Sequence, residues 1–452
     1  MGRTLEKIIV EGSVAPNFES LRDLFVKNIQ QLAENSAQLC VYVGDQKVVD
    51  LWARAPVNSA FNADSLINVF SSGKNLEVIA MASLVDRGLL DYNAKVVTYW
   101  PEFGAHGKDQ LSVADVMRHE AGLAAFDTSL NAKDLHREQI RNNAIGRVIE
   151  SQTQNFRAAG KENAREYHAL TRGWVVNEIF RRVDPEQRTI GEFLRDDIAG
   201  PLGVDAMIGV PEEDLPRIAK VKAIGFLAHL KHSLMPQILG RKVHHSIFAI
   251  LGRGLKIISA RRNNPGIKRP APFARLQSTE GIKEPLAALC EVFNDPLIEM
   301  GETPSANAHC SARGLAKIAS ALSRNGVSEG TQILSAQACQ ALHEAPIDRS
   351  LGLMDTQFTQ GGVALFAPTK TNASAMEKSL NHGREGFYGW MGLGGSIFQW
   401  HPEYQIGFAF VPTSLHVLDL VNERGKAFQA EVLRIVEEAR NGQSVKAEVG
   451  IG

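Results

Sequence analysis

Strand-forming runs stand at the two ends of this chain, and helical periodicity fills the span between them. Near the N-terminus, QLCVYVGDQKVVDLWA places two β-rich runs around Gly44-Asp45, which predicts a hairpin. Near the C-terminus, SIFQWHPEYQIGFAFVPT predicts two strands about a Pro-Glu turn. An isolated hairpin is marginal in water, so such strands need company. One sheet assembled from both termini, with helices packed on it and a helical region inserted, satisfies this. Apolar residues at helical spacing predict helices over 17–34 (Leu21, Leu24, Phe25, Ile29, Leu32), 111–118, 169–183, 312–322 and about 418–440. No internal repeat is visible.

The chain has 452 residues, ample for a large core, with 44% hydrophobic and 22% charged residues. Its 49 Lys+Arg against 50 Asp+Glu argue against disorder and against a nucleic-acid partner. Cys40, Cys290, Cys310 and Cys339 show no CxxC spacing, which predicts buried, reduced thiols rather than disulfides or a zinc site. The opening residues lack a secretory apolar region, and Glu6 stands where a myristoylation signal needs Ser or Thr. No apolar run is long enough to span a bilayer. The expected location is cytoplasmic. One stretch stands apart: residues 215–279 carry 13 Lys+Arg and no Asp or Glu, interleaved with apolar residues. A solvated basic face accounts for it, and so does a lid or a weak membrane-surface contact.

GxSxG, HExxH, Walker A and GxGxxG motifs are all missing, which removes the usual support for metal, nucleotide and nicotinamide chemistry. Ser71-Ser72-Gly73-Lys74 is an SxxK motif placed where the apolar run 66–70 passes into a helix over about 71–88. A serine there has helix N-terminal N–H groups beside it. A lysine three residues on lies one turn along the same face, within reach of the serine oxygen. Desolvation would lower its pKa and let it accept the serine proton. Taken alone, the motif also fits a capped helix with a solvated lysine.

The surrounding sequence resembles the serine β-lactamase-like family, in the class C and penicillin-binding-protein branch that also holds carboxylesterases and acyltransferases. Gly88-Leu89-Leu90-Asp91 and Val116 to Leu123 match stretches that follow the active serine helix in that branch. Tyr167-His168-Ala169, ahead of Leu170-Thr171-Arg172-Gly173-Trp174, looks like the esterase form of the family's tyrosine motif. Ala169 stands where the lactamase form has Asn. Gly389 to Ser396 is similar to the glycine-rich third motif, with Trp390 at the basic position. Pro304 to Asn307 and Ala312 to Ala316 resemble the helix leading back to the sheet.

The resemblance implies a β-lactamase/transpeptidase-like α/β (α+β) fold: an antiparallel sheet flanked by helices, from 1–66 and 300–452, plus a mainly helical domain over 67–299. It implies a serine hydrolase that cleaves small carboxylic esters through an acyl-serine. Ser71 is then the nucleophile, and Lys74 and Tyr167 move the proton, with a Tyr167 phenolate favoured beside Lys74. The N–H groups of Ser71 and Leu393 form the oxyanion hole. Trp390, Met391, Gly392 and Leu393 border the substrate. His119 is expected to tie loops beneath the site rather than act as a base. No metal or organic cofactor is implied. An acyltransferase using the same acyl-enzyme and a non-catalytic scaffold of the same family are the alternatives.

Overall fold

The computed structural model describes residues 8–31, 34–155, 164–236, 270–351, 354–416 and 419–449. Among the described residues, nine strands form the central sheet: β1 (Ile9–Val14), β2 (Ser36–Val43), β3 (Gln46–Arg54), β4 (Ile347–Ser350), β5 (Asp355–Phe358), β6 (Ala364–Leu365), β7 (Tyr388–Met391), β8 (Ile397–His401) and β9 (Ile406–Pro412). Their spatial order is β1-β3-β2-β9-β8-β7-β6-β5-β4, every pair antiparallel. The predicted N-terminal hairpin is β2–β3, closing on Gly44-Asp45 between Val43 and Gln46. Pairing of β9 with β2, from Ile406↔Val43 to Pro412↔Ala37, joins the two ends of the chain. The three strands β4 to β6 were not anticipated: they are two to four residues long and carry little apolar alternation.

Both faces of the sheet are covered. Along β9, Ile406, Phe408 and Phe410 enter one apolar layer, and Ala409 and Val411 enter the other. This is the two-residue period of a strand with a helix layer on each side. The first layer is closed by α1 (Glu19–Gln31) and the C-terminal α5 (Glu423–Val449). Phe428 packs there against Phe25 and Phe410 at centroid distances of 5.8 and 5.3 Å. The other face carries α4 (Ala312–Ser323). At Gly407 that helix comes so close that an added Cβ would lie 2.3 Å from Ser320 N and 2.5 Å from Ala316 O. We therefore expect Gly407→Ala to lower stability by about 1–3 kcal/mol, the usual cost of forcing volume into a packed interface. A thermal melt checks this; an unchanged midpoint would show that the contact yields freely.

The inserted region supplies α2 (Lys74–Asp86) and α3 (Thr171–Val183). All but two residues of α2 are buried, which explains a sequence apolar almost all round. The helix stops where expected, at Gly88, whose φ is +67°. The strand anticipated over 66–70 is only Ile67–Asn68. It pairs with His309–Cys310, which also pairs with Ala206–Met207. This small ribbon fixes the chain just ahead of Ser71. All four cysteines are buried and free of disulfides. Among the described residues, no helix is long and apolar enough to cross a membrane. Of the basic stretch 215–279, residues 237–269 lie outside the described part of the chain.

Candidate active site

Ser71 does not open α2 directly. It sits in a 3-10 turn, Phe70–Gly73, that leads into the helix. The preceding Phe70 has φ +46°, a left-handed conformation that is costly for a bulky side chain, and Asn68 Oδ1 holds it by accepting the Phe70 N–H at 2.7 Å. Ser71 is half-buried while Ser72 is fully buried. The offset of about 120° between consecutive residues of a 3-10 turn separates the two hydroxyls. Ser71 Oγ faces Lys74 Nζ at 3.3 Å. Ser72 Oγ meets Ser396 Oγ at 3.1 Å.

Lys74 is 1% exposed. Its Nζ donates to Ala169 O at 2.7 Å and to Ser305 O at 2.9 Å. Burial pushes the amine well below its ordinary range; Glu77 opposes the shift and Arg172 adds to it. A neutral amine has two hydrogens and one lone pair. The three oxygens around Nζ match the three hydrogens of an ammonium; in the neutral form the two carbonyls take both hydrogens and the lone pair is left for Ser71 Oγ.

Tyr167 is brought to the same place from the chain ahead of α3. Its hydroxyl lies close enough to that of Ser71 for the two to influence each other. Trp390 Nε1 donates to Tyr167 Oη at 2.9 Å. Burial raises the phenol above its ordinary range, with Ser71 and Trp390 pulling the other way. Burial thus works against the phenolate expected beside Lys74, and works against the lysine's charged form as well. Its Nζ stands over the Tyr167 ring, 4.9 Å from the centroid, rather than at the oxygen.

Trp390 is 8% exposed, and its ring lies against Phe358 and Phe366 at 5.2 and 6.4 Å between centroids. Met391 points the other way, as strand alternation requires, and its Sδ meets Arg384 Nη1 at 3.4 Å beneath α5. Gly392 touches the nucleophile segment: a Cβ there would sit 2.3 Å from Val69 O. Ser396 Oγ also bonds Val69 O, at 2.6 Å. Asn422 Nδ2 holds Gly392 O and Ser396 O at 3.0 and 2.9 Å. These bonds pin the turn that carries Leu393 against the segment 69–72.

Beneath the lysine lies a pair the motif reading missed. Arg172 and Glu77, 1% and 0% exposed, form an ion pair at 2.9 Å. Ser305 Oγ donates to the same Glu77 oxygen at 2.8 Å, and Arg172 also donates to Lys74 O, Met117 O and Gly362 O. Glu77 lies three residues past Lys74, on the same face of α2, which is the signal that could have found it. His119 accepts the His168 N–H at Nδ1, 3.1 Å, and its ring packs 4.8 Å from that of Tyr167. Burial holds it well below the ordinary histidine range, so it stands as a neutral ring under the tyrosine.

The family model described as Beta-lactamase matches residues 22–431. Esterase/beta-lactamase LipL of Mycobacterium tuberculosis (strain ATCC 25618 / H37Rv) is 29% identical over 414 residues, which cover 90% of this chain and 83% of that protein. Among solved structures, a family VIII carboxylesterase matches with a TM-score of 0.70 at 23% identity, covering 94% of this chain and 100% of the other. EstA from Arthrobacter nitroguajacolicus Rue61a matches with a TM-score of 0.68 at 22% identity, covering 94% and 98%. The likeness to these two structures is one of fold.

Proposed function

The chain belongs to the beta-lactamase family, and on that footing we propose that it is a serine hydrolase cleaving small carboxylic esters through an acyl-Ser71. The observation that carries this reading is the arrangement around Ser71 Oγ: a desolvated lysine amine at 3.3 Å on one side and the Tyr167 hydroxyl on the other.

The direction of proton flow follows from the donors. An indole N–H can only donate, so the Tyr167 oxygen accepts from Trp390; in the proposed reactive arrangement its own hydrogen turns to Ser71 Oγ. The Ser71 hydrogen is then directed to Lys74. Ser71 Oγ attacks the ester carbonyl carbon as its proton passes to Lys74 Nζ. The carbonyl oxygen gains negative charge, and the N–H groups of Ser71 and Leu393 receive it. Collapse breaks the bond to the alcohol oxygen, which takes a proton from the Lys74/Tyr167 pair. Water repeats the sequence on the acyl-Ser71 and releases the acid. Transfer to an alcohol in place of water uses the same intermediate.

Substrate preference rests on Trp390 and Ala169. Trp390 brings no charge, and its only polar hydrogen is committed to Tyr167. Ala169 offers no side-chain amide, and its carbonyl is committed to Lys74. A penicillin or cephalosporin carboxylate would forgo a charged hydrogen bond of about 1.5–3 kcal/mol at these positions. We expect short-chain aryl and alkyl esters to be cleaved with kcat/KM at least about tenfold above that for a chromogenic cephalosporin, the least that such a loss implies. A preference for the cephalosporin would overturn the ester assignment.

A further inference from the structure

The helix Phe226–Leu234 presents its faces the wrong way round for a soluble protein. Among its described side chains, His229 and Ser233, one turn apart, are the buried ones, at 6% and 2% exposure. Leu227, Lys231 and Leu234, at i, i+4 and i+7, face outward, with the two leucines 78% and 62% exposed. A surface helix usually buries its leucines and exposes its polar residues, so this outer face lacks its partner among the described residues.

The charge around it says what that partner is. No Asp or Glu occurs from 215 to 279, against 13 Lys+Arg. Arg217 and Lys220 are neutralised by Asp205, Asp214 and Glu299. Lys222, Lys231 and Arg275 are exposed. The remaining eight cations belong to 237–269, and enter here as charge alone. Exposed leucines on either side of Lys231, on a stretch of chain with 13 Lys+Arg and no Asp or Glu, match a lipid surface bearing negative headgroups.

We infer that the outer face of the helix Phe226–Leu234 docks on an anionic bilayer. Its place in the fold gives the docking a use. Lys222–Ala223 pairs in parallel with Ser414–Leu415, and Ile224 N donates to Leu415 O at 3.2 Å. Leu415 in turn packs on Gly394, beside Leu393. Docking therefore sets the glycine-rich turn next to the bilayer, where esters with apolar acyl chains are dissolved; this consequence, unlike the docking itself, rests on the ester-hydrolase reading.

The test is co-sedimentation of the full chain with phosphatidylglycerol/phosphatidylcholine vesicles and with pure phosphatidylcholine vesicles. We expect binding to the anionic vesicles at low salt and release at about 0.5 M salt, where the screening length is a few ångströms. The double variant Leu227→Glu/Leu234→Glu should bind at least about tenfold more weakly, because two buried leucines are lost and two repelled charges gained. Its turnover of a water-soluble ester should be unchanged, which shows that the fold is intact. A catalytically inactive Ser71→Ala chain should bind like the parent, so docking and hydrolysis fail or succeed separately. Absence of binding at low salt, equal binding to neutral vesicles, or undiminished binding of the double variant would overturn the inference. The last result would leave the leucine face to the chain's own residues 237–269.

Discussion

Replacing Ser71 with alanine should remove ester hydrolysis by at least about three orders of magnitude in kcat, the scale seen when a covalent nucleophile is deleted. The change removes one oxygen from a half-buried side chain, so the fold should survive it. Ser72→Ala should behave differently. Its hydroxyl is buried against Ser396 Oγ at 3.1 Å and does not reach the lysine. Loss of one such bond weakens the tie between the nucleophile turn and the glycine-rich turn, by about 1 kcal/mol. A severalfold loss of activity with a lowered melting point is expected there. Steady-state kinetics of both variants on one aryl ester separates the roles. Comparable, complete losses in the two would mean that the position of the nucleophile has been misread.

Lys74 carries the second large effect. Below its pKa the amine is an ammonium with no lone pair, and the Ser71 proton has nowhere to go. Above it the amine is a base. Burial brings this transition down from the range of a free lysine, so activity should climb from acid towards neutral pH and stay high under mildly alkaline conditions. The limb belongs to the coupled Lys74/Tyr167 pair rather than to either residue. Lys74→Met, which fills the same space, should lower kcat by about two to four orders of magnitude. Lys74→Arg should be equally damaged, because a guanidinium keeps the charge but gives no lone pair near neutral pH. Substantial activity in the arginine variant, or a flat rate between about pH 5 and 9, would reduce Lys74 to a charge that merely holds the loop.

The nucleophile and its lysine were legible because their relation is local: three residues on one helical face. Tyr167 and Trp390 were legible only as members of a sequence pattern. Their bond joins residues 223 positions apart, and no spacing rule encodes that the indole N–H ends on the phenol rather than on substrate. That contact by itself favours the phenolate expected beside Lys74; it is burial, which the motif does not show, that outweighs it and raises the phenol. Placing both Trp390 and Met391 towards substrate overlooked a rule that was available, since neighbours on a strand face opposite ways. Glu77 was within reach of the same reasoning that found Lys74. Ser305 was seen only as part of a family stretch. Its carbonyl on Lys74 and its hydroxyl on Glu77 arise from long-range folding. The sheet built from both termini was read correctly because alternation and hairpin turns are strong at β2, β3, β8 and β9. The edge strands β4 to β6 are too short to carry such a signal.

The account turns on acyl transfer at one oxygen. Incubating the protein with a fluorophosphonate probe and mapping the modified peptide by mass spectrometry tests that directly. We expect a single stoichiometric adduct on Ser71, formed faster as the pH rises through the Lys74/Tyr167 limb and lost in Ser71→Ala. A folded protein that takes up no probe, or takes it up on Ser72 or elsewhere with Ser71 free, would contradict the account and return the chain to the non-catalytic, scaffold reading of its family.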